Sequence, residues 1–289
     1  MSISPSIIVG LAVMAIWGFE DFIMAIPLKR IGTNKTILLT NLFALVPICI
    51  ISAYFLFRGQ VSISQGDFLM LFAASIIDVF AIYFFWKSME VGEVSIVSPV
   101  SATYPLVTIL LSIALAGEML SPLKIICMFA VVVGAVLTSS DLSKLRHLHA
   151  AKGVGLAFAA MMIWGVYFYM VGMVERTTDY ISVFVFTNLI ATPILIGYSY
   201  LKAGRGLKRD RKIKSVIWPI AAVSLLATAG WFVLNYGYSL GQVSLVTTVS
   251  SLYPIITVML AMAFFKEKLV MNQKIGIVVT IAGLFLLSL

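Results

Sequence analysis

The sequence predicts an all-α polytopic membrane protein: ten transmembrane helices arranged as two inverted five-helix repeats. Three observations predict it. Of 289 residues, 61% are hydrophobic and 11% charged, and the mean hydropathy is +1.08. A soluble domain is roughly 45–50% apolar and about 25% charged. The apolar residues fall in runs of about 20, the length that crosses a bilayer. Motifs of the first half recur, in register, in the second. This composition excludes a water-soluble enzyme, a nucleic-acid binder and a disordered chain, and leaves little room for a soluble domain.

The first run, residues 6–27, follows Met1–Pro5, which carries no basic residue. No small-residue cleavage site ends it, so a retained helix is expected rather than a signal peptide. The next runs cover residues 34–57, 66–87, 94–116 and 121–139. Only Lys87–Glu93 separates the third from the fourth. These five make a first repeat, residues 1–140, and residues 141–152 connect it to a second, 153–289. The second repeat holds runs at 153–174, 180–201, 215–237, 243–265 and 271–289. The runs are continuous, not alternating as a membrane β-barrel requires. Cys49 and Cys127 lie inside apolar runs, where free, packed thiols are expected.

The repeat is explicit. Met14-Ala15-Ile16-Trp17-Gly18 recurs as Met161-Met162-Ile163-Trp164-Gly165, and Thr40-Asn41-Leu42 as Thr187-Asn188-Leu189, both at an offset of 147. Further on the offset is 149: Gly92-Glu93-Val94-Ser95 matches Gly241-Gln242-Val243-Ser244, and Tyr104-Pro105 matches Tyr253-Pro254. Between Gly92 and Leu137, 16 of 46 positions are identical to their counterparts, a register that shared composition alone cannot keep. Five spans per unit is an odd number, so consecutive units enter the membrane in opposite senses. Inverted repeats of this kind are a recurrent plan of secondary transporters, with the solute site near the midplane.

The charges agree with ten spans. The first, fifth, seventh and ninth connections share one side and hold sixteen of the 20 Lys and Arg residues. Arg58, Lys124 and Arg176 fall on the other side, and Lys87 ends a helix on the basic side. A missed helix would scatter them. Basic connections face the cytoplasm, so both termini are expected outside. The net charge of +8 is thus a matter of orientation. The run Lys202–Lys214 is a topology anchor with attraction to anionic lipid.

The Trp17-Gly18 and Trp164-Gly165 pairs, with the double signature Gly-x-Val-Ser-x-Val…Tyr-Pro…Glu at Gly92–Glu118 and Gly241–Glu267, resemble the ten-helix EamA-type transporters of the drug/metabolite transporter superfamily. The resemblance covers nearly the whole chain. It implies an inner- or plasma-membrane carrier of small metabolites, often an exporter of amino acids or drugs. It also implies a central cavity lined by helices 1, 3, 4, 6, 8 and 9, with helices 5 and 10 peripheral. The sequence departs from the family's pattern in two respects: the family usually has cytoplasmic termini, and Phe19-Glu20-Asp21 stands where relatives carry small or amide residues.

An ionisable residue near the centre of a spanning helix costs about 2.5–3.5 kcal/mol on insertion scales. Glu20, Asp21 and Asp78 are three such residues, and no basic residue is near them in sequence. They are candidates for solute or proton binding, unless they are neutral or close enough to an interface to snorkel. Glu20 and Asp21 lie about 100° apart on a helix and cannot point along one radius. Ser98, Ser101 and Thr108 in the fourth span, and Thr247, Ser250 and Thr257 in the ninth, form stripes at helical spacing. The stripes suit a close crossing of the two helices, or a cavity wall that binds polar groups. Pro105 and Pro254 each free a carbonyl one turn earlier. Trp17, Tyr83, Trp164 and Trp231 lie mid-run, where an interfacial belt does not explain them, and Tyr167 accompanies Trp164. Asn41, Asn188 and Asn235 are intramembrane amides, either helix-to-helix bonds or ligands. The candidate solute-binding residues are therefore Trp17, Glu20, Asp21, Asp78, Tyr83, Ser98, Ser101, Trp164, Tyr167, Trp231, Asn235, Thr247 and Ser250. Glu118 and Glu267 close equivalent helices and read as a structural hinge or cap.

No catalytic, metal or cofactor site is expected. His147-Leu148-His149 has no acidic or cysteine partner at ligand spacing. No Gly-x-x-x-x-Gly-Lys-Ser/Thr loop for ATP is present. The expected function is secondary transport of a small organic solute by alternating access, chiefly export of amino acids or related metabolites. Export of lipophilic or amine cations is the alternative; an integral membrane enzyme fits less well. Expected partners are the solute and membrane lipids, with protons as a candidate coupling ion and no nucleic acid. Monomer and homodimer both remain open.

Overall fold

The structure is a computed structural model that describes residues 4–92, 94–115, 117, 119–139, 153–203, 211–240, 243–265 and 270–287. The connection 141–152 with His147 and His149, the caps Glu118 and Glu267, and residues 204–210 of the basic run lie outside the described residues.

Every regular element among the described residues is helical. A backbone in hydrocarbon must satisfy its own polar groups, and the helix does so within one segment. In the first half these are α1 (Pro5–Ile31), α2 (Thr33–Phe57), α3 (Gln65–Val91), α4 (Val94–Ser101), α5 (Pro105–Ala114) and α6 (Pro122–Ser139). In the second they are α7 (Val154–Val174), α8 (Tyr180–Ala203), α9 (Ile217–Ser239), α10 (Val243–Ser250), α11 (Tyr253–Phe265) and α12 (Met271–Leu287). A short 3-10 turn, Arg211–Val216, leads into α9. Among the described residues, seven helical stretches are long and apolar enough to cross a membrane, and three shorter apolar ones accompany them.

The apolar runs at 94–116 and 243–265 are expected as single helices. Each is instead two, α4 with α5 and α10 with α11. The reason is proline. Pro105 and Pro254 have no N–H to continue the ladder. The chain turns before each: Tyr104 N bonds to Ser101 O at 3.2 Å, and Leu252 N to Val249 O at 3.2 Å. The breaks fall at equivalent places in the two halves.

Contacts cross between the halves more than they run along the chain. α1 packs on α9, α10 and α11, as α7 packs on α3, α4 and α5. α2 meets α8 and α6 meets α12. Each of these pairings has its counterpart when the halves are exchanged. The outer faces are apolar and exposed: Val46 is 62% exposed, Ile50 65% and Val278 67%. Cys127 is buried, but Cys49 lies exposed on the outside of α2, against the expectation of a packed thiol.

Turns are fixed locally. Gly32 joins α1 to α2 at φ +82°, a left-handed conformation that favours glycine. Lys29 Nζ donates to Gly92 O at 2.7 Å and to Glu90 O at 3.1 Å, tying this turn to the end of α3. Glu90 accepts from the Thr33 N–H at 2.9 Å and pairs with Lys87 Nζ at 2.9 Å.

Candidate functional site

The cavity lies where the two halves meet, holds about 130 Å³ of water-accessible space and opens to the surface. Its wall comes from α1, α2, α3, α7, α8 and α9, with Tyr104 and Tyr253 from the broken spans. The resemblance implies a wall without the second and seventh spans. The structure corrects this: α2 brings Thr40, Asn41, Ala44 and Ile48, and α8 brings Thr187, Asn188, Ala191 and Leu195. α6 and α12 contribute nothing to the wall and pack on each other.

The Trp-Gly pairs show how the wall is set. Gly18 lies under α11, and an added Cβ would meet Ile256 and stand 2.9 Å from Tyr253 O. Gly165 lies under α5 in the same way, against Val107 and 3.1 Å from Tyr104 O. Thr257 Oγ1 donates to Gly18 O at 3.2 Å, and Thr108 Oγ1 to Gly165 O at 3.0 Å. Glycine thus lets two backbones touch, and the neighbouring tryptophan is carried to the cavity wall.

From Trp17 and Trp164 an aromatic lining extends. Trp17 meets Trp231 edge-on at 5.3 Å and Tyr253 at 6.0 Å. Phe168 stacks on Trp231 at 5.8 Å and lies 4.5 Å from Tyr104. Tyr167 stands edge-on to Trp231 at 5.7 Å. The negative face of such a ring attracts a cation.

Three carboxylates complete the wall: Glu20, Asp21 and Asp78. Ser98 Oγ donates to Asp21 Oδ2 at 2.8 Å, and Trp164 Nε1 donates to Asp78 Oδ1 at 2.9 Å. Glu20 and Asp21, although about 100° apart on α1, both line the cavity. Among the described residues, no Lys, Arg or His lines the cavity. Asn41 and Asn188 each donate one amide hydrogen to their own helix, to Ile37 O and Phe184 O at 2.9 Å.

The wall is built from equivalent positions, but its charge is not. Trp17/Trp164, Thr40/Thr187, Asn41/Asn188 and Tyr104/Tyr253 all line it in pairs. Opposite Glu20, Asp21 and Asp78 the second half places Tyr167, Phe168 and Ala227. Among the described residues, every carboxylate of the cavity therefore belongs to the first half.

Of the candidate residues, Trp17, Glu20, Asp21, Asp78, Trp164, Tyr167 and Trp231 share this cavity. The other six do not line it. Ser98 stands behind Asp21 as its donor. Ser101 is wholly buried, bonding to Ser98 O at 2.8 Å and meeting the Tyr253 hydroxyl at 3.3 Å. Thr247 pairs with the Tyr238 hydroxyl at 2.8 Å, and Ser250 donates to Thr247 O at 3.1 Å. Asn235 is buried in α9 away from the cavity. Tyr83 turns to Tyr198, 5.4 Å away. Thr40, Asn41, Thr187 and Asn188, whose recurrence is plain in sequence, belong with the cavity instead. Among the described residues no cluster of His, Cys, Asp or Glu could hold a metal.

Comparison with known proteins agrees with this architecture. One crystal structure of a protein superimposes with a TM-score of 0.72 at 19% identity, covering 99% of this chain and 98% of that one. An uncharacterized protein of Methanocaldococcus jannaschii is 42% identical over 66 residues, 23% of this chain; the match spans about half (48%) of that relative's length. The sequence profile of the EamA-like transporter family matches twice, over residues 4–140 and 151–289. With both halves matched and the whole length covered, the chain belongs to the EamA-like transporter family.

Proposed function

We propose that this multi-pass membrane protein is a secondary carrier of small organic cations, amines that bear an apolar or aromatic group. The carrying observation is the cavity wall: aromatic faces, three carboxylates and no basic side chain. An ammonium group is the natural counter-charge for those acids, and the rings favour it further. The apolar part of the solute then lies against Tyr167, Phe168 and Trp231. Amino acids are the second reading. They are favoured by Asn41 and Asn188, each of which keeps one amide hydrogen beyond the bond to its own helix, for a solute carboxylate.

In this proposal residues 1–140 and 153–289 are inverted five-helix repeats joined by 141–152, and their rocking exposes the cavity to each side in turn. The exchange-symmetric packing of α1 on α9 and α7 on α3 supports it. The carrier sits in the plasma or inner membrane. Asp21 and Asp78 exchange protons against the solute, because two buried acids without a basic partner must be neutral, paired or wet at each stage.

Counterflow in proteoliposomes tests this. Labelled phenethylamine should exchange against unlabelled phenethylamine, and phenylacetate should not. Exchange of L-phenylalanine without phenethylamine moves the assignment to amino acids. Exchange of phenylacetate overturns the cation reading, and no exchange of any of the three overturns both solute assignments. Asp21→Asn and Asp78→Asn should lose pH-driven accumulation and keep exchange.

A further inference from the structure

One titratable group outside the cavity is anomalous. Glu175 caps the C-terminus of α7. Both of its carboxylate oxygens are buried and bond to no partner. Unpartnered buried polar atoms are few in native proteins, and a bare carboxylate is the costliest kind. The helix end adds to the cost, since its carbonyls carry partial negative charge. Burial holds the Glu175 carboxyl well above the ordinary carboxylate range, and Asp179 pushes it the same way. A neutral acid fits this place, and a neutral acid has a proton to give.

Its surroundings connect two regions. Asp179 in the connection to α8, Tyr167 on its own helix and Tyr238 on α9 are titratable groups within electrostatic range of it. Tyr167 lines the cavity and lies within electrostatic range of both Asp78 and Glu175. Glu175 follows Tyr167 by eight residues, about 12 Å along α7 and about 80° around it. On the other side, Asp179 borders a surface recess with Asp67, Thr177 and Thr178. There Asp67 Oδ2 accepts from Thr178 Oγ1 at 2.9 Å and from Thr177 Oγ1 at 3.2 Å. Glu175 thus stands between the cavity wall and a polar, open face.

We propose that Glu175 is a proton relay between the cavity carboxylates and the face of the protein that carries Asp67 and Asp179. Its carboxyl takes a proton from water beside Asp179 and passes it inward to the Asp78 carboxylate, with the Tyr167 hydroxyl as the polar group between. The reverse movement returns the proton to water. Each transfer breaks one O–H bond and forms another, and nothing is oxidised or reduced. The inference rests on the proton-coupled carrier proposed above.

The test uses full-length protein in liposomes, labelled phenethylamine, and two conditions: an imposed pH gradient, and exchange at equal pH. In Glu175→Gln the driven uptake should fall by about tenfold or more and lose its dependence on pH at the Asp179 face, while exchange stays near wild type. Glu175→Asp should restore most of the driven uptake. Wild-type driven uptake in Glu175→Gln overturns the relay and leaves the carrier standing. Equal loss of driven uptake and exchange in a folded Glu175→Gln also overturns it and marks a structural role. If Glu175→Gln does not fold, the pH profile of Glu175→Asp decides: a shifted profile supports the relay and an unshifted one overturns it. If the wild type exchanges phenethylamine but shows no pH-driven uptake, proton coupling fails and the relay with it.

Discussion

Trp164 reaches from the second half of the chain to donate its indole N–H to Asp78 in the first, at 2.9 Å. Its counterpart Trp17 meets no such acid, because Ala227 stands where the repeat would place one. The bond therefore joins the halves at one edge of the cavity only. Trp164→Phe keeps a ring in place but removes the donor. It should lower stability by about 1–3 kcal/mol, since Asp78 Oδ1 stays buried without this partner. Asp78→Asn, which keeps an acceptor, should cost less. Thermal unfolding of the two single variants and the double variant measures the coupling.

Gly18→Ala and Gly165→Ala should each destabilise by more than the usual cost of overpacking, about 1–3 kcal/mol, because backbone carbonyls stand in the way as well as side chains. Gly155→Ala is the control. A Cβ there meets nothing within 4 Å, so it should be neutral or slightly stabilising. Size-exclusion profiles and melting temperatures of the three variants make the comparison.

Ser101→Leu and Ser250→Leu should both abolish folded, monodisperse protein. Each serine is fully buried at the break between two helices and has no room for the three extra carbons of leucine. Folded variants with impaired transport alone would return these residues to the cavity wall.

The position of the termini is open to direct measurement. The bias of basic residues puts the C-terminus outside the cell, against the usual arrangement of the family. A C-terminal alkaline phosphatase fusion should be active and a fluorescent-protein fusion dark. The opposite pair of results reverses the orientation.

Glu175 also has a signature in stability. Its folded carboxyl titrates above the unfolded value of 4.5. The native state then binds a proton that the unfolded state gives up, so the contribution is full below pH 4.5 and is lost as pH rises through the folded value. Glu175→Gln carries no such term. Its melting temperature relative to wild type should therefore climb as pH rises above 4.5, and a constant difference would contradict the buried acid.

Particular residues show what was legible in the sequence. Trp17 and Trp164 announced themselves by recurrence, and both line the cavity. Asp21 and Asp78 were conspicuous as charges in apolar runs, a signal that follows from the cost of desolvation. Asn41 and Asn188 recur just as clearly, but an amide in a helix serves packing and ligands alike, and only the fold tells which way it faces. Tyr83 lies mid-run like Trp231, yet one helical face separates a cavity residue from a partner of Tyr198. The serines of the α4 and α10 stripes had the right spacing for either role, and the proline breaks bury them between helices. Glu175 gave least warning of all. A single acid after an apolar run carries no mark of burial in the sequence, and the fold alone encloses its carboxylate.

The one-sided charge of the cavity means that the two copies are no longer interchangeable parts. A chain assembled from two second halves would place Tyr167, Phe168 and Ala227 on both sides of its central space and hold no acid there. It would suit an uncharged, ring-bearing cargo. On the cation reading proposed above, selectivity is a property of the difference between the two copies, while the shared glycine and threonine contacts keep the frame.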